Sequence, residues 1–212
     1  MTPRERFYMI GKSQEIEVKF YLTDPEGFFV RLNAVGAIMK RKRCHETDLR
    51  FDNEAGDLRV SGQVLRLRKD KQVTLTYKGA GRVTTGVSSR REIEVTVSDY
   101  NITRELLEAI GYKPCMMYEK YRTAYDLNRC EIVLDEMPYG WFCEIEGDSP
   151  LAIQQTAELL TLNWETRILD SYIFLFAHCR DALGLSFSDL SFPNFRDVSV
   201  TPRDLGVSPA DI

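Results

Sequence analysis

Short runs in which apolar and polar residues alternate recur along most of this 212-residue chain. In an extended strand, successive side chains point to opposite sides, so this alternation predicts strands with one apolar and one polar face. Residues typical of turns, above all glycine, separate the runs, as expected between antiparallel strands. The runs cover residues 15–20, 47–52, 64–69, 73–79, 91–97, 119–127, 130–136 and 141–147.

Four segments carry helix signals, and the predicted strands outnumber them about two to one. Most of these segments begin at a residue that can cap a helix N-terminus, or have proline in the first turn. Many strands with few helices predict an α+β or closed-barrel fold, not a doubly wound α/β fold. The predicted helices cover residues 25–35 after Asp24, 101–110 with Asn101 as N-cap, 149–160 from Ser149, and 169–184 ending at Gly184.

Length and composition are those of one globular domain with a short appendage. Apolar residues make up 43% of the chain and charged residues 28%, which excludes a disordered or collagen-like chain. We predict a domain over residues 1–186 and an extended C-terminal tail over residues 187–212. No run approaches the ~18 apolar residues of a membrane helix, and no secretory signal core is visible, so a cytoplasmic protein without a membrane partner is predicted.

The cysteines fit this location. They show no C-x-x-C spacing, which argues against a disulfide framework and against a zinc ribbon. Buried free thiols are the simpler interpretation. The five residues are Cys44, Cys115, Cys130, Cys143 and Cys179.

One face of the predicted strands is heavily charged, whereas the other is mostly apolar. Because residues i and i+2 of a strand share a face, E-x-E pairs occur on this side three times and an R-x-R pair once. The charged face carries Glu15, Glu17, Lys19, Arg66, Arg68, Lys78, Glu92, Glu94, Lys120, Arg122, Asp135, Glu144 and Glu146.

Two interpretations of this face are open: a sheet surface in water, or a site for metal and phosphate. The first interpretation, in which the charged face is exposed to solvent, explains a single amphipathic strand well. However, two carboxylates ~7 Å apart repel by about 2 kcal/mol at an effective dielectric constant near ~20, so three such pairs without a cation are unfavourable. Carboxylate oxygens suit Mg²⁺ or Mn²⁺, and arginine and lysine suit phosphate oxygens, so the second interpretation is favoured.

The same residues resemble a known family. The segment EIEVK at 15–19 matches the E-x-E-x-K motif of the CYTH, or triphosphate tunnel metalloenzyme, superfamily, which includes class IV adenylate cyclases, thiamine triphosphatases and inorganic triphosphatases. Later runs follow in the family's order, so the resemblance spans about residues 13–184. They are DLRFDN (48–53), SGQVLRLRK (61–69), LTYKG (75–79), REIEV (91–95), EKYRTAY (119–125), LDEMPYGWFCEIEG (134–147) and SY (171–172).

The resemblance implies a closed antiparallel barrel of eight strands, with helices packed on the outside and charged side chains pointing into a central tunnel. It also implies that the tunnel binds a divalent cation together with a triphosphate. Carried over position by position, the metal ligands are Glu15, Glu17, Glu144 and Glu146; the catalytic group is Lys19, Glu92, Glu94 and Asp135; and the triphosphate cradle is Lys19, Arg66, Arg68, Lys78, Lys120 and Arg122.

Arg50 departs from the family pattern. Many relatives have D-x-Y-F-D where this chain has D-L-R-F-D. Arg50 contacts the distal part of the substrate if it faces the tunnel mouth, and is an inconsequential surface change if it does not. Both alternatives are open.

The resemblance implies an enzyme that acts on a small-molecule triphosphate: tripolyphosphate, ATP or thiamine triphosphate. Hydrolysis of the terminal phosphoryl group is favoured, and the alternative is a class IV adenylate cyclase that converts ATP to cyclic AMP and pyrophosphate. A second alternative is a non-catalytic module for polyphosphate or RNA ends, against which the acid pairs argue because carboxylates repel polyanions. A monomer and a homodimer are both open.

The charge distribution bears on other partners. Residues 37–91 hold 14 Lys and Arg against 6 Asp and Glu, whereas residues 130–170 hold 9 acidic residues and one arginine. This asymmetry and the net charge of −4 argue against a general nucleic-acid-binding protein, whose domain is usually basic throughout. No G-x-x-x-x-G-K-[ST] loop occurs, which excludes a P-loop nucleotide site.

Overall fold

Within residues 14–212, which the computed structural model describes, ten strands form one antiparallel sheet. Each of the eight predicted runs corresponds to a strand. Two further short strands lie between the fourth and fifth runs. In chain order the strands are β1 Glu15–Leu22, β2 Ile38–Asp52, β3 Val64–Lys69, β4 Val73–Lys78, β5 Arg82–Thr84, β6 Val87–Arg90, β7 Glu92–Val97, β8 Lys113–Leu127, β9 Cys130–Met137 and β10 Gly140–Glu146.

The predicted helices are confirmed with small shifts of their boundaries. The helix predicted to begin at Asn101 begins one residue earlier because Asp99 is its N-cap, with the Asp99 carboxylate accepting a hydrogen bond from Ile102 N at 2.8 Å. None of the helices in the described part of the chain is both long and apolar enough to cross a membrane. The helices are α1 Pro25–Ala34, α2 Asp57–Val60, α3 Tyr100–Ala109, α4 Pro150–Leu159 and α5 Tyr172–Leu183, with 3-10 helices at Trp164–Thr166 and Pro202–Leu205.

The sheet is not a closed barrel. Its strand order is β5-β6-β1-β10-β9-β8-β2-β3-β4-β7, and in the part of the chain that the structure describes, β7 pairs with β4 but with no strand on its other side. Only Arg91 separates the last residue of β6 from the first residue of β7, so the chain changes pairing partner there from β1 to β4. The eight-stranded closed barrel implied by the resemblance is therefore wrong for this chain. The sheet has ten strands and is open, because β6 occupies the place beside β1 that a closing strand would need.

Charged side chains connect the two ends of this open sheet. Lys78 at the end of β4 lies 2.7 Å from Glu15 at the start of β1, although these strands are far apart in the strand order. The sheet therefore curves back on itself, and its charged face is the inner face. The α+β class is confirmed.

Apolar residues on the outer face pack against the helices. Val18 and Ile145 lie in a buried cluster that includes Phe28 of α1 and Ile153 of α4. A smaller cluster around Leu67 packs against α3. Burial of each such side chain contributes about 1.5–3 kcal/mol, so the helices stabilise the curvature of the sheet.

The inner face changes from charged to aromatic along β1. Lys19 is followed on the same face by Tyr21, whose ring packs edge-on against Phe142 with centroids 5.3 Å apart. Tyr172 of α5 packs on the same Phe142 ring at 5.2 Å. This aromatic cluster belongs to a second buried core that includes α5, and it bounds the charged part of the inner face.

Residues 187–212, which include turns over 192–197 and the 3-10 helix Pro202–Leu205, pack along the sheet. The Leu190 carbonyl accepts a hydrogen bond from Glu119 N of β8, and Leu190 N donates to Met117 O, each at 3.0 Å. Leu190, Phe195 and Leu205 are buried in the core beside α5. Apolar side chains thus hold this segment, predicted to be an extended tail, against the rest of the protein.

All five cysteines are free. Cys130, Cys143 and Cys179 are buried, as predicted. The prediction is wrong for Cys115, which is exposed near the start of β8, and for Cys44, which is half-buried on the exposed first part of β2.

Candidate functional site

The inner face of the sheet encloses a cavity of about 790 Å³. The first turns of α5 complete its wall. Every residue predicted for the site from the sequence lines this cavity, with the exception of Asp135. The predicted residues in the wall are Glu15, Glu17, Lys19, Arg50, Arg66, Arg68, Lys78, Glu92, Glu94, Lys120, Arg122, Glu144 and Glu146.

Lys19 lies between two glutamates of neighbouring strands. Its Nζ is 2.6 Å from Glu17 Oε1 and 3.3 Å from Glu144 Oε1, and all three side chains are at least nine-tenths buried. The register of β1 against β10 places Lys19 directly opposite Glu144. Burial alone would lower the pKa of Lys19, but Glu17 and Glu144 outweigh it and raise the pKa above its usual value. Lys19 is therefore charged throughout the physiological pH range.

Glu144 is ionised in spite of its burial. Its Oε2 accepts a hydrogen bond from Arg122 at 2.6 Å, in addition to the contact with Lys19. Desolvation favours the neutral acid, but Lys19 and Arg122 hold the pKa of Glu144 well below its usual range. The acidic wall thus carries real negative charge at neutral pH.

A second charged cluster lies where the two ends of the sheet approach each other. Lys78 Nζ is 2.7 Å from Glu15 Oε1 and 3.1 Å from Glu92 Oε2. Arg90 of β6 lies 3.8 Å from Glu15 and 3.8 Å from Glu17. Sequence reasoning missed Arg90, because the β6 segment V-S-S-R lacks the alternation that marks the other strands.

The basic wall is formed by β2 and β3. Arg68 donates from Nε to Asp48 Oδ1 at 2.9 Å, and Arg66 Nε lies 3.3 Å from the same oxygen. Arg66 also donates to the Tyr118 hydroxyl at 3.4 Å and to Thr76 Oγ1 at 3.2 Å. A buried carboxylate therefore lies beside two arginines that face the cavity.

Arg50 lies on the cavity wall, so the alternative of an outward surface position is wrong. It is opposite Arg66 in the ladder between β2 and β3, and directly opposed residues share a face. Arg59 of α2 lines the same cavity. Within residues 14–212, neither guanidinium forms an ion pair.

Asp135 lies behind the wall and is fully buried. Its carboxylate accepts hydrogen bonds from Lys120 at 2.8 Å, from Arg122 Nε at 2.7 Å and from the Tyr172 hydroxyl at 3.0 Å. Desolvation opposes ionisation, but Arg122 and Lys120 lower the pKa of Asp135. The structure thus places Asp135 against two basic residues of the wall and not in contact with the cavity.

Two buried acidic residues of the site were missed by sequence reasoning. Glu46 and Asp48 precede Arg50 at intervals of two on β2, so they share its face. Extending that alternation backwards from Arg50 is the signal that identifies them. Glu46 Oε2 lies 3.4 Å from Arg68 and 3.9 Å from Lys120.

The donor chemistry of the acidic wall fits a hard divalent cation. Glu17 and Glu146 are directly opposite in the ladder between β1 and β10, and both line the cavity. Their oxygens are the ligand type that Mg²⁺ and Mn²⁺ prefer. Across the described residues, no three His, Cys, Asp or Glu side chains converge as a ready-made metal site. The carboxylates do not converge because Glu15, Glu17 and Glu144 form ion pairs with lysine or arginine side chains instead.

The structure is thus a rolled antiparallel sheet whose inner face lines a cavity with both carboxylates and guanidinium groups. The chain belongs to the CYTH domain family, whose profile matches residues 13–169. The resemblance drawn from the motifs is thereby confirmed.

Individual relatives agree with this assignment. The chain is 28% identical over 134 residues to "Putative adenylate cyclase MJ0240" of Methanocaldococcus jannaschii, a match that covers 62% of this chain and 75% of that protein. The PH1012 protein of Pyrococcus horikoshii OT3 superposes with a TM-score of 0.64 at 26% identity, covering 74% of this chain and 96% of that chain. HpAC1 of Hippeastrum, described with a dominant triphosphatase activity, superposes with a TM-score of 0.58 at 20% identity, covering 92% of this chain and 100% of that chain. At that identity the last match shows the fold alone.

Proposed function

We propose that the protein is an enzyme that binds a linear triphosphate in the cavity and, with Mg²⁺ or Mn²⁺, hydrolyses its terminal phosphoryl group. One observation carries the proposal: an acidic wall from β1 and β10 and a basic wall from β2 and β3 meet in one cavity. Phosphate oxygens need cationic partners, whereas a hard cation needs carboxylates. A metal–triphosphate complex satisfies both walls at once.

Arg66 and Arg68 are the main residues that bind the triphosphate in this proposal. Arginine can donate two parallel hydrogen bonds to phosphate oxygens. Arg68 is held through Nε by Asp48, and Arg66 donates from its terminal nitrogens only to the hydroxyls of Tyr118 and Thr76 in the described residues. Arg50 and Arg59 extend the positive wall beyond them. Lys78, Lys120 and Arg122 add positive charge to the cradle while they order the carboxylates that they contact.

The metal would be held by Glu15, Glu17, Glu144 and Glu146. Loading requires these carboxylates to exchange a lysine or arginine contact for the cation, since three of them form such contacts in this structure. When bound, the cation neutralises phosphate charge and polarises the oxygens that it coordinates. Lys19, released from Glu17 by this exchange, adds a positive charge where negative charge develops in the transition state.

Hydrolysis needs a water molecule placed in line with the bond that breaks. Its oxygen attacks the terminal phosphorus, the bond to the bridging oxygen breaks, and orthophosphate and diphosphate leave. We assign the orientation of this water to Glu94, whose Oε2 lies 3.0 Å from Thr76 Oγ1 and 3.9 Å from Arg66. Glu92 is held by Lys78, and Asp135 by Lys120 and Arg122, so both act by positioning basic residues.

Product analysis tests the proposal directly. The purified full-length chain is incubated with Mg²⁺ or Mn²⁺ and with tripolyphosphate, ATP or thiamine triphosphate in separate reactions. Orthophosphate release from at least one of them is the expected result. Tight binding of all three without turnover would contradict it and support the non-catalytic module for polyphosphate or RNA ends.

A second candidate is a class IV adenylate cyclase, favoured by the name of the relative from Methanocaldococcus jannaschii. In that reaction the ATP 3′-hydroxyl attacks the α-phosphorus, and cyclic AMP and pyrophosphate leave. The same basic and acidic walls serve it, with the α-phosphate in place of the terminal one. Cyclic AMP with pyrophosphate from the ATP reaction, instead of ADP with orthophosphate, would establish this alternative.

A further inference from the structure

Two acidic side chains lie beneath the basic wall without belonging to the acidic wall. Glu46 and Asp48 occupy the inner face of β2, and each is fully buried. Neither lines the cavity, so neither is placed to bind metal or substrate directly. A buried carboxylate needs cationic or hydrogen-bonding partners. Asp48 finds its partners among the arginines of the wall, whereas Glu46 accepts a hydrogen bond from Arg41 at 2.8 Å and lies 3.4 Å from Arg68.

Asp48 contacts both of the arginines that face the cavity, and in each arginine the contacting atom is Nε. Arg68 donates from Nε to Asp48 Oδ1 at 2.9 Å, and Arg66 Nε lies 3.3 Å from that oxygen. The backbone fixes this arrangement, because Asp48 is directly opposite Arg68 in the β2–β3 ladder and opposite Tyr118 in the β2–β8 ladder.

Contact through Nε leaves the terminal nitrogens of a guanidinium available to another partner. In the described residues, Arg68 forms no hydrogen bond through its terminal nitrogens, whereas those of Arg66 donate to the hydroxyls of Tyr118 and Thr76, and one of them lies 3.9 Å from Glu94 Oε2. Arg122 is different, because Nε binds Asp135 while a terminal nitrogen binds both Asp135 and Glu144. Of these three arginines, Arg68 presents the freest fork to the cavity.

We propose that Asp48 is the positioning residue for anion recognition in this site: it binds Arg68 through Nε and lies 3.3 Å from Arg66 Nε, so that both arginines are directed to the cavity and the terminal nitrogens of Arg68 face the bound phosphates. The inference rests on the proposed function, since the anion is the triphosphate of that proposal. Asp48 itself acts through the arginines and does not touch the substrate.

The charge balance of the wall supports this role. Arg66 and Arg68 are neighbours on one face of β3, so their charges repel unless an anion lies between them. Burial opposes ionisation of Asp48, but Arg68, Arg66 and Lys120 lower its pKa, which keeps it negative at neutral pH. Before substrate arrives, Asp48 offsets the repulsion and keeps both side chains in one orientation, so less rotamer freedom is lost on binding.

A double-mutant cycle tests the role, with the full-length chain and tripolyphosphate as the probe. Calorimetry without metal gives the dissociation constant, and steady-state kinetics with Mg²⁺ give KM and kcat. Asp48→Asn keeps the shape and removes the charge, and should weaken tripolyphosphate binding roughly tenfold or more. In an Arg68→Ala background the same change should have a clearly smaller effect, because half of what Asp48 positions is gone.

Glu119→Gln is the matched control. Glu119 is a mostly buried carboxylate that pairs with His45 and accepts a hydrogen bond from Phe192 N, outside the cavity wall. It should leave tripolyphosphate affinity unchanged even if thermal stability falls. A loss of stability in Asp48→Asn without a loss of affinity, or effects of Asp48→Asn and Arg68→Ala that simply multiply, would overturn the proposal.

Arg68→Lys decides the question if Asp48→Asn does not fold. Lysine keeps the positive charge but lacks the Nε–H that binds Asp48 while leaving a fork free. Affinity should fall several-fold, and unchanged affinity would overturn the proposal. Failure of the unaltered protein to bind tripolyphosphate would instead contradict the proposed function, so the two failures are distinguishable.

Discussion

The Lys78 ammonium on β4 lies 2.7 Å from both carboxylate oxygens of Glu15 on β1. In the strand order of the open sheet, β1 is third and β4 is ninth of ten, and within residues 14–212 no hydrogen-bonded ladder joins them. In a closed barrel, backbone hydrogen bonds would join them. Here the two parts of the sheet are joined instead by this ion pair and by Arg91, the single residue between β6 and β7. One charge pair therefore contributes to the shape of the cavity and to its chemistry.

Removal of this contact should loosen the sheet. Lys78→Met leaves the Glu15 carboxylate with Arg90 at 3.8 Å as its remaining cationic contact. Because both side chains are mostly buried, we expect the free energy of unfolding to fall by about 1–3 kcal/mol. Urea denaturation followed by circular dichroism measures the change.

Lys40→Met is the control for this prediction. Lys40 also forms a 2.8 Å ion pair, with Asp126, but both side chains are about half exposed. Solvent screens such a pair, so this change should leave the denaturation midpoint almost where it was. Equal effects of the two variants would show that the Lys78–Glu15 contact does not hold the ends of the sheet together.

Acid should destabilise the protein through the buried carboxylates of the cavity. Despite burial, Lys19 and Arg122 hold the pKa of Glu144 well below its usual 4.5. A group whose pKa is lower in the folded state contributes stability above its unfolded pKa, and this stability is lost as the pH falls through the folded pKa. We expect the contribution of Glu144 to be constant near neutral pH and to decline below about pH 4.5.

Urea titrations between about pH 7 and pH 3 measure this decline. Glu144→Gln should give a shallower loss of stability with acid than the unaltered protein. Glu108→Gln, which removes an exposed carboxylate paired with Arg104 on α3, should keep the original slope. Lys19 does not alter the slope of stability against pH in this range. Because its pKa is raised on folding, its contribution to stability is fully present at all pH values below its unfolded pKa of 10.5.

Alternation alone was sufficient to predict most of the cavity wall. On β1, the spacing of Glu15, Glu17 and Lys19 places all three on one side of any strand, whatever that strand pairs with. Their position on the cavity wall is therefore a local property of the chain. The same holds for Arg66 and Arg68 on β3.

Closure of the sheet depends on non-local pairing and could not be read from local pattern. β6 is short and its V-S-S-R segment has no alternation, so nothing in it indicates that it pairs with β1. Register between distant strands is set by the packing of whole faces. Glu46 and Asp48, by contrast, were accessible to reasoning from alternation, because they continue the alternation of Arg50 backwards along β2 and the register shifts of that strand lie before Cys44 and after Arg50.

The C-terminal end should stabilise the start of α1. The Asp211 carboxylate accepts hydrogen bonds from Thr23 N at 2.9 Å and from Asp24 N at 2.7 Å, next to the helix N-terminus. Asp211→Ala removes both and should lower the free energy of unfolding by about 1 kcal/mol, as for other caps. Thermal denaturation measures the shift, with Asp197→Ala, in the same segment, as the control. A midpoint that moves no more than the control's would contradict the role of Asp211.

Glu17 should set the metal requirement of the enzyme. Its carboxylate lies on the acidic wall, 2.6 Å from Lys19 and opposite Glu146. Glu17→Gln keeps the size of the side chain but removes a charged oxygen ligand, so the Mg²⁺ concentration for half-maximal orthophosphate release should rise roughly 10–100-fold. Tripolyphosphate binding measured without metal should be retained, because the arginines of β3 are untouched.

Glu136→Gln provides the comparison for Glu17. Glu136 is a carboxylate of β9 that pairs with Arg43 and lies outside the cavity wall. Its loss should leave the metal titration unchanged, since it removes one negative charge from the protein without removing a proposed ligand. If Glu17→Gln kept the Mg²⁺ dependence of the unaltered protein, the acidic wall of β1 and β10 would not be the metal site. The carboxylates of β7 would then be the next to test, because Glu92 and Glu94 line the same cavity.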